Sequence, residues 1–336
     1  MGAALALGER GRGRTAPNPN VGCVVVRDGL VVGRGWTQPG GRPHAEAMAL
    51  AQAGEKSRGA TVYVTLEPCA HESPRGPACS TLLVEAGVAR VVIALGDPDP
   101  RTNGAGAARL RDAGIAVNEG VRTAEARRSM AGFLARLEKG RPLVTLKLAT
   151  SLDGQIALAS GESQWITGAP ARAHTHLERS RHEAILVGRR TMETDKPGLD
   201  VRLPGLEERS PKRLFLTRHP RESGDPASSS SLPQEQPAPR FRGGDGWGVL
   251  GSPEDIVTLE GVNHLFVEGG AETAAAFLRA DLVDRLLLYR APILIGAGRA
   301  ALGDIGLARL GDAHDRWRLV ESRMLGKDHM EAYERA

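Results

Sequence analysis

The chain has 336 residues, 41% of them hydrophobic, and its 44 basic and 40 acidic side chains leave a formal net charge of only +4. That length accommodates two domains of ordinary size, each with a core of its own. No run of about 18 apolar residues is present to cross a membrane as a helix, and no concentrated basic block points to nucleic acid. Three cysteines are too few, and odd in number, for a disulfide framework. The first fourteen residues turn from apolar to basic, the reverse of a secretory leader, so the cytoplasm is the expected compartment.

Residues 3–10 read as a short helix. The loop Thr15-Ala16-Pro17-Asn18-Pro19-Asn20 follows, irregular because of its prolines and asparagines. Val21–Arg27 and Leu30–Trp36 flank Asp28-Gly29, a hairpin signal, and Cys23 in the first strand reads as core. Pro43 precedes a helix over 44–53 stopped by Gly54, with His44 and Glu46 in its first turn. Thr61–Leu66 alternates as a strand, and Pro68-Cys69 stands at its end, where open α/β sheets place binding residues. Helices over 79–86 and 105–113 alternate with strands over 90–95 and 115–117, which predicts a mainly parallel sheet after the hairpin.

One imidazole and two thiols, His44, Cys69 and Cys79, form a donor set for Zn²⁺ with a fourth position open. Glu46 is placed to move protons rather than to bind metal. Singly, each residue has a bland reading: a histidine at a helix start is more often a cap, and a Pro-Cys pair is more often structural. Their order and their placement at strand–helix junctions favour the metal. The pattern resembles the signature of zinc-dependent nucleobase deaminases. There an activated water attacks an amidine-like carbon, and the glutamate carries protons to the ring nitrogen and the leaving amine.

The loops make the resemblance narrower. Ala16-Pro17-Asn18-Pro19-Asn20-Val21-Gly22, Pro43-His44-Ala45-Glu46, Val64-Thr65-Leu66-Glu67-Pro68-Cys69-Ala70-His71 and Gly96-Asp97-Pro98-Asp99-Pro100 together resemble the bifunctional deaminase/reductase of riboflavin biosynthesis. The resemblance implies a cytidine-deaminase-like, three-layer α/β domain over residues 1–141. It also implies hydrolytic deamination of 2,5-diamino-6-(5-phosphoribosylamino)pyrimidin-4(3H)-one. The Cys69–Cys79 spacing is one residue longer than is usual in that family, an addition that a surface loop absorbs cheaply. His71 is a rival ligand, but a place in the pocket beside the substrate suits it better.

Residues 125–138 are polar and Arg-rich, with Met130, Phe133, Leu134 and Leu137 at helical spacing, and read as one connecting helix. Gly140-Arg141-Pro142 ends it, and a second domain is expected over 142–336. Strands are expected there over 143–149, 184–187, 213–217 and 263–267, helices over 170–182 and 271–279, and a closing strand over 285–289. Glu268-Gly269-Gly270, between strand and helix, leaves main-chain N–H groups suited to a phosphate. No Gly-x-Gly-x-x-Gly occurs in a Rossmann setting.

Residues 147–154, 161–167 and 267–270 resemble the reductase half of the same family, which is similar to dihydrofolate reductase and uses NADPH to reduce the ribosyl group to ribityl. By matching position, this implies that Ala149, Trp165, Thr191, Asp195 and Gly270 contact NADPH. It likewise implies that Ser163, Arg179, Leu199, Arg202 and Glu268 contact the substrate, an arginine fork suiting its phosphate. Lys196 stands where the family usually has an acidic residue. Residues 219–246, rich in Pro, Ser and Gly without periodicity, are expected to be a disordered insertion. A shortened segment over 247–262 follows, which raises the alternative of an active deaminase with an impaired reductase. A nucleic-acid-editing deaminase shares the zinc signature but needs a basic face. The expected partners are a small-molecule substrate and further copies of the same chain, with no nucleic acid and no membrane.

Overall fold

The structure is a computed structural model that describes residues 1–217 and 246–336. It divides into two compact units, Met1–Gly140 and Arg141–Ala336. Among the described residues no helix is long and apolar enough to cross a membrane.

The first unit runs α1 (Gly2–Gly8), β1 (Gly22–Arg27), β2 (Leu30–Trp36), α2 (Ala45–Ala53), β3 (Thr61–Val64), α3 (Cys79–Glu85), β4 (Arg90–Ile93), α4 (Ala105–Asp112), β5 (Ala116–Asn118), α5 (Thr123–Ser129) and α6 (Ala131–Lys139). Its sheet has the order β2-β1-β3-β4-β5. The hairpin pairs antiparallel, β3 joins β1 antiparallel, and β4 and β5 continue parallel. Asp28 and Gly29 both take positive φ, 51° and 75°, the conformation that a two-residue hairpin turn needs. Val25, Val62, Val64, Leu83, Val91, Ile93 and Leu110 are fully buried at the centre of the core.

Two glycines set the position of α2. A Cβ on Gly33 would stand 2.1 Å from the Ala49 carbonyl oxygen, and one on Gly35 would stand 2.1 Å from that of Ala45. The helix therefore lies directly on the bare backbone of β2, and only glycine permits that approach.

The single helix expected over 125–138 is two helices, broken at Met130 (φ −102°, ψ 18°). The Asn20 side chain donates to the Ser129 carbonyl at 3.2 Å, and Ser129 Oγ donates to Glu9 at 2.6 Å. These long-range bonds capture the end of α5, and the fully buried Met130 side chain fills the break.

The second unit runs β6 (Leu143–Thr150), β7 (Gln155–Ala157), α7 (Ala169–Arg179), β8 (Ala184–Gly188), α8 (Arg189–Asp195), β9 (Lys212–Leu216), β10 (Trp247–Leu250), β11 (His264–Val267), α9 (Ala271–Arg279), β12 (Arg285–Arg290), β13 (Arg299–Ala300), β14 (Trp317–Leu325) and β15 (Asp328–Arg335). The main sheet has the order β10-β9-β8-β11-β6-β12-β15-β14. Pairing is parallel from β10 to β12, after which β15 and β14 add antiparallel. Every residue of β8 and β11 is buried, as parallel strands covered on both faces require.

The strand over 285–290 is not the last one. The β14–β15 hairpin extends the sheet beyond it, its outer strand half-exposed and carrying Arg318, Glu321 and Arg323. Residues 247–262, the segment expected to be shortened, fold onto the second unit. β10 pairs with β9, and Ile256, Leu259 and Val262 are buried in the core. Apart from Gly246, the insertion expected over 219–246 lies outside the described residues.

A buried ion pair ties the start of β6 to the start of β12. Arg141 donates from Nη1 and Nη2 to Asp284 at 2.6 and 3.0 Å, and the same carboxylate accepts the Val144 N–H at 2.9 Å. Asp284→Ala would strand a buried guanidinium and should lower the stability of the second unit by about 3–5 kcal/mol. Urea unfolding should show that unit's transition at lower denaturant, with the transition of the first unit unmoved.

Candidate active sites

In the first unit three metal donors arrive from three separate junctions. His44 is the N-cap residue of α2 in extended conformation, and its side chain makes no capping hydrogen bond. The imidazole instead turns its Nδ1 toward sulfur, 3.3 Å from Cys79 Sγ and 3.6 Å from Cys69 Sγ. Cys69 follows β3, and Cys79 is the first residue of α3, where its N–H donates to Cys69 Sγ at 3.2 Å. The three donor atoms all lie within 4.8 Å of one another.

Hydrogen bonds from the Cys79 thiol, the His44 ring and the Cys79 amide outweigh burial and hold the Cys69 thiol far below its ordinary pKa, at about 4. A thiolate at a helix N-terminus is the form that binds a metal. One nitrogen and two sulfurs at this spacing fit zinc by donor type and number. The other ring nitrogen of His44, Nε2, lies 3.2 Å from the Asn18 side-chain amide, which orients the ring. His71 stands outside this group and faces Thr102 Oγ1 at 3.5 Å.

Glu46 is 3% exposed, in the first turn of α2. Burial raises its carboxyl to about 7, against the opposing charge of His44 and with that of Cys69. Near neutrality such a group both accepts and donates a proton. It lines a cleft of about 400 Å³ together with Asn18, His44, Cys69, His71, Arg75 and Asp97. The segment between Cys69 and Cys79 contains a tight turn. Ser73 and Gly76 exchange main-chain hydrogen bonds of 3.2 and 3.0 Å, Gly76 has φ 138°, and Arg75 at the tip reaches the cleft.

In the second unit, Glu268 follows β11 and is largely enclosed. Arg179, the last residue of α7, grips its carboxylate with two N–H groups at 2.6 and 3.1 Å, and Lys147 on β6 lies 3.7 Å away. Burial pushes the Glu268 pKa up, but the Lys147 and Arg179 charges outweigh it and hold the carboxyl below its ordinary value. A third Arg179 N–H donates to the Asp200 carbonyl at 3.0 Å, beside buried Leu199 at φ 53°. The guanidinium fork expected to take the substrate phosphate is thus already turned onto Glu268 and the 199–200 loop.

The remaining expected contacts are spread around the C-terminal ends of the parallel strands. Ala149 is near the end of β6, Thr191 and Asp195 are on α8, and Gly270 is the N-cap of α9. A Cβ on Gly270 would meet nothing within 4 Å, so the helix start faces open space. Ser163 and Trp165 are exposed, with Arg172 stacked 4.6 Å from the Trp165 ring, and exposed Arg202 lies 3.4 Å from Asp200.

A family model described as the cytidine and deoxycytidylate deaminase zinc-binding region matches residues 1–95. Another, described as the RibD C-terminal domain, matches residues 142–240 and 256–330. The riboflavin biosynthesis protein RibD of Escherichia coli is 42% identical, with 98% of this chain and 96% of that protein covered. The chain belongs to the RibD family. The structure of Acinetobacter baumannii RibD superposes with a TM-score of 0.82 at 36% identity, covering 100% of this chain and 98% of that one. A deaminase/reductase structure from Thermotoga maritima gives a TM-score of 0.83 at 31% identity, covering 100% and 97%.

Sequence reasoning passed over Glu67, Asp97, Arg101 and Lys147 as individual side chains. All four lie in or beside the motifs above, but nothing local distinguishes a buried carboxylate at a strand end from a solvated one, or an engaged cation from a solvated one. Cys79→Ala should lose stoichiometric zinc in metal analysis of the purified protein. Retention of one zinc per chain would remove Cys79 from the donor set.

Proposed function

We propose that the chain catalyses two successive steps of riboflavin biosynthesis. The first is hydrolytic deamination of 2,5-diamino-6-(5-phosphoribosylamino)pyrimidin-4(3H)-one to 5-amino-6-(5-phosphoribosylamino)uracil. The second is reduction of its ribosyl group to ribityl by NADPH. The observation that carries the first step is the meeting of His44, Cys69 and Cys79 with a buried carboxyl poised near neutrality.

His44, Cys69 and Cys79 would hold zinc, which supplies a water of lowered pKa. Glu46 does the proton work. It takes one proton from the attacking water and passes it to the ring nitrogen, then takes the second from the new hydroxyl on the ring carbon and delivers it to the amino group, which leaves as ammonia as the carbonyl forms. Its first-turn position on α2, clamped to β2, keeps it beside the donor set without adding a fourth protein ligand. The cleft beside it accepts the pyrimidine, with Arg75 at the rim.

In the second unit the start of α9, open in front of Gly270, suits the cofactor pyrophosphate. Ala149, Trp165, Thr191 and Asp195 complete the NADPH contacts in this reading, and Ser163, Leu199, Arg202 and Glu268 face the substrate. Arg179 serves by holding Glu268 ionised and the 199–200 loop in place. The reading of a working reductase is supported by β10, which pairs with β9 at the edge of the sheet, and by Ile256, Leu259 and Val262, which are buried in the core.

Mass analysis of products tests both steps. Without NADPH the diaminopyrimidinone phosphate should exchange one amino group for oxygen, and with NADPH it should gain two hydrogens as well. Deamination without NADPH oxidation would refute the second step. Glu46→Gln should keep its zinc while deamination falls by at least about 10²-fold. Wild-type rates from that variant would take Glu46 out of the mechanism.

A further inference from the structure

Glu67 immediately precedes the Pro68-Cys69 ligand turn, is 5% exposed, and lines the same cleft as Glu46. Its position invites a role in metal binding or proton transfer, yet its oxygens are committed elsewhere. Oε2 accepts the N–H of Asp97 at 3.2 Å and of Gly104 at 3.0 Å, and Oε1 accepts the N–H of Ala107 at 3.0 Å. The main-chain N–H of Glu67 donates to the Leu95 carbonyl at 2.8 Å, fixing the base of the side chain as well.

These three amides belong to the two ends of one excursion. Asp97 lies in the loop after β4, Gly104 is the N-cap of α4, and Ala107 lies in its first turn. No capping side chain is supplied by the local sequence, and the Glu67 carboxylate provides the acceptors from the segment after β3. A negative group at this helix end is favoured both by the free N–H groups and by the helix dipole. The approach is close as well as charged. A Cβ on Gly106 would stand 2.0 Å from the Pro68 carbonyl oxygen and 3.2 Å from Glu67 Oε1.

The stretch from Asp97 to Gly104 carries Asp97, Asp99 and Arg101, all three lining the cleft. Asp99 accepts two N–H groups of the Arg101 side chain, and Thr102 Oγ1 accepts the Ala70 N–H at 3.4 Å. The same loop thus returns to the ligand turn one residue past Cys69.

We propose that Glu67 is a positioning residue for the deaminase substrate: its carboxylate fixes the Asp97–Arg101 wall of the cleft at a set distance from the metal-ligand turn, without itself binding metal, substrate or the transferred proton. This rests on the deaminase reading of the site. Glu67→Gln keeps the volume but replaces one acceptor oxygen by a donor, leaving at least one of the three amides facing an NH₂ group. The wall then moves, while the donor set and Glu46 stay where they are.

The experiment is steady-state deamination and metal analysis of the full-length zinc enzyme as wild type, Glu67→Gln and Gly106→Ala. The glycine variant pushes α4 off the Pro68 carbonyl without touching any charge. Both variants should retain one zinc per chain, raise KM by about tenfold or more, and keep kcat within about threefold. Reduction by the second unit, measured on the deaminated substrate, should be unchanged and reports that the chain is folded. An unaltered KM in Glu67→Gln overturns the proposal, as does a fall in kcat that tracks lost zinc. Failure of the underlying reading looks different: the zinc-loaded wild type would then not deaminate at all.

Discussion

The first site depends on the contact between α2 and the glycine-bearing face of β2. With side chains at Gly33 and Gly35 the helix would have to lift, and its first turn would leave the sheet edge where the sulfurs converge. Because the carbonyls of Ala45 and Ala49 rest on bare backbone, the N-terminus of α2 is placed within hydrogen-bond distance of that of α3. Two helix starts, each electropositive by its free N–H groups, then face one small space. That space is suited to thiolate and to whatever electron-rich group reacts there.

Three enclosed or largely enclosed carboxyl groups show how differently one functional group can be used. Glu46 is enclosed with little to stabilise its charge, so burial lifts it to the range where protons move. Glu67 is enclosed to a similar degree but has three main-chain donors, and becomes structural glue. Glu268 is enclosed between a guanidinium and an ammonium and stays ionised, with its Arg179 partner also fastening the 199–200 loop. Burial alone predicts none of these outcomes; the partners decide.

Much of the first unit was legible in the sequence. The hairpin was legible because Asp28-Gly29 permits few other turns, and α2, α3 and α4 because proline or glycine marks their limits. The break at Met130 was not, since the bonds that make it come from Asn20 and Glu9, more than a hundred residues away. The β14–β15 hairpin was not legible because its outer strand keeps no two-residue period: its burial is irregular, and Leu319 and Met324 are exposed. The Arg179–Glu268 pair was hidden for the same kind of reason. Each residue matched its family motif, but nothing local said that one would occupy the other.

By itself the sequence determined the chemistry on offer: one imidazole, two thiols and a carboxylate in an order that only metal-assisted hydrolysis explains economically, and a second strand–Gly-Gly–helix unit suited to a phosphate. Residue identity carries this because donor type and charge are properties of single side chains. The tertiary structure alone decided which carboxyl group is raised toward neutrality, which loop walls the cleft, and which cation is already engaged. Those outcomes depend on desolvation and on partners that the chain brings together only by folding.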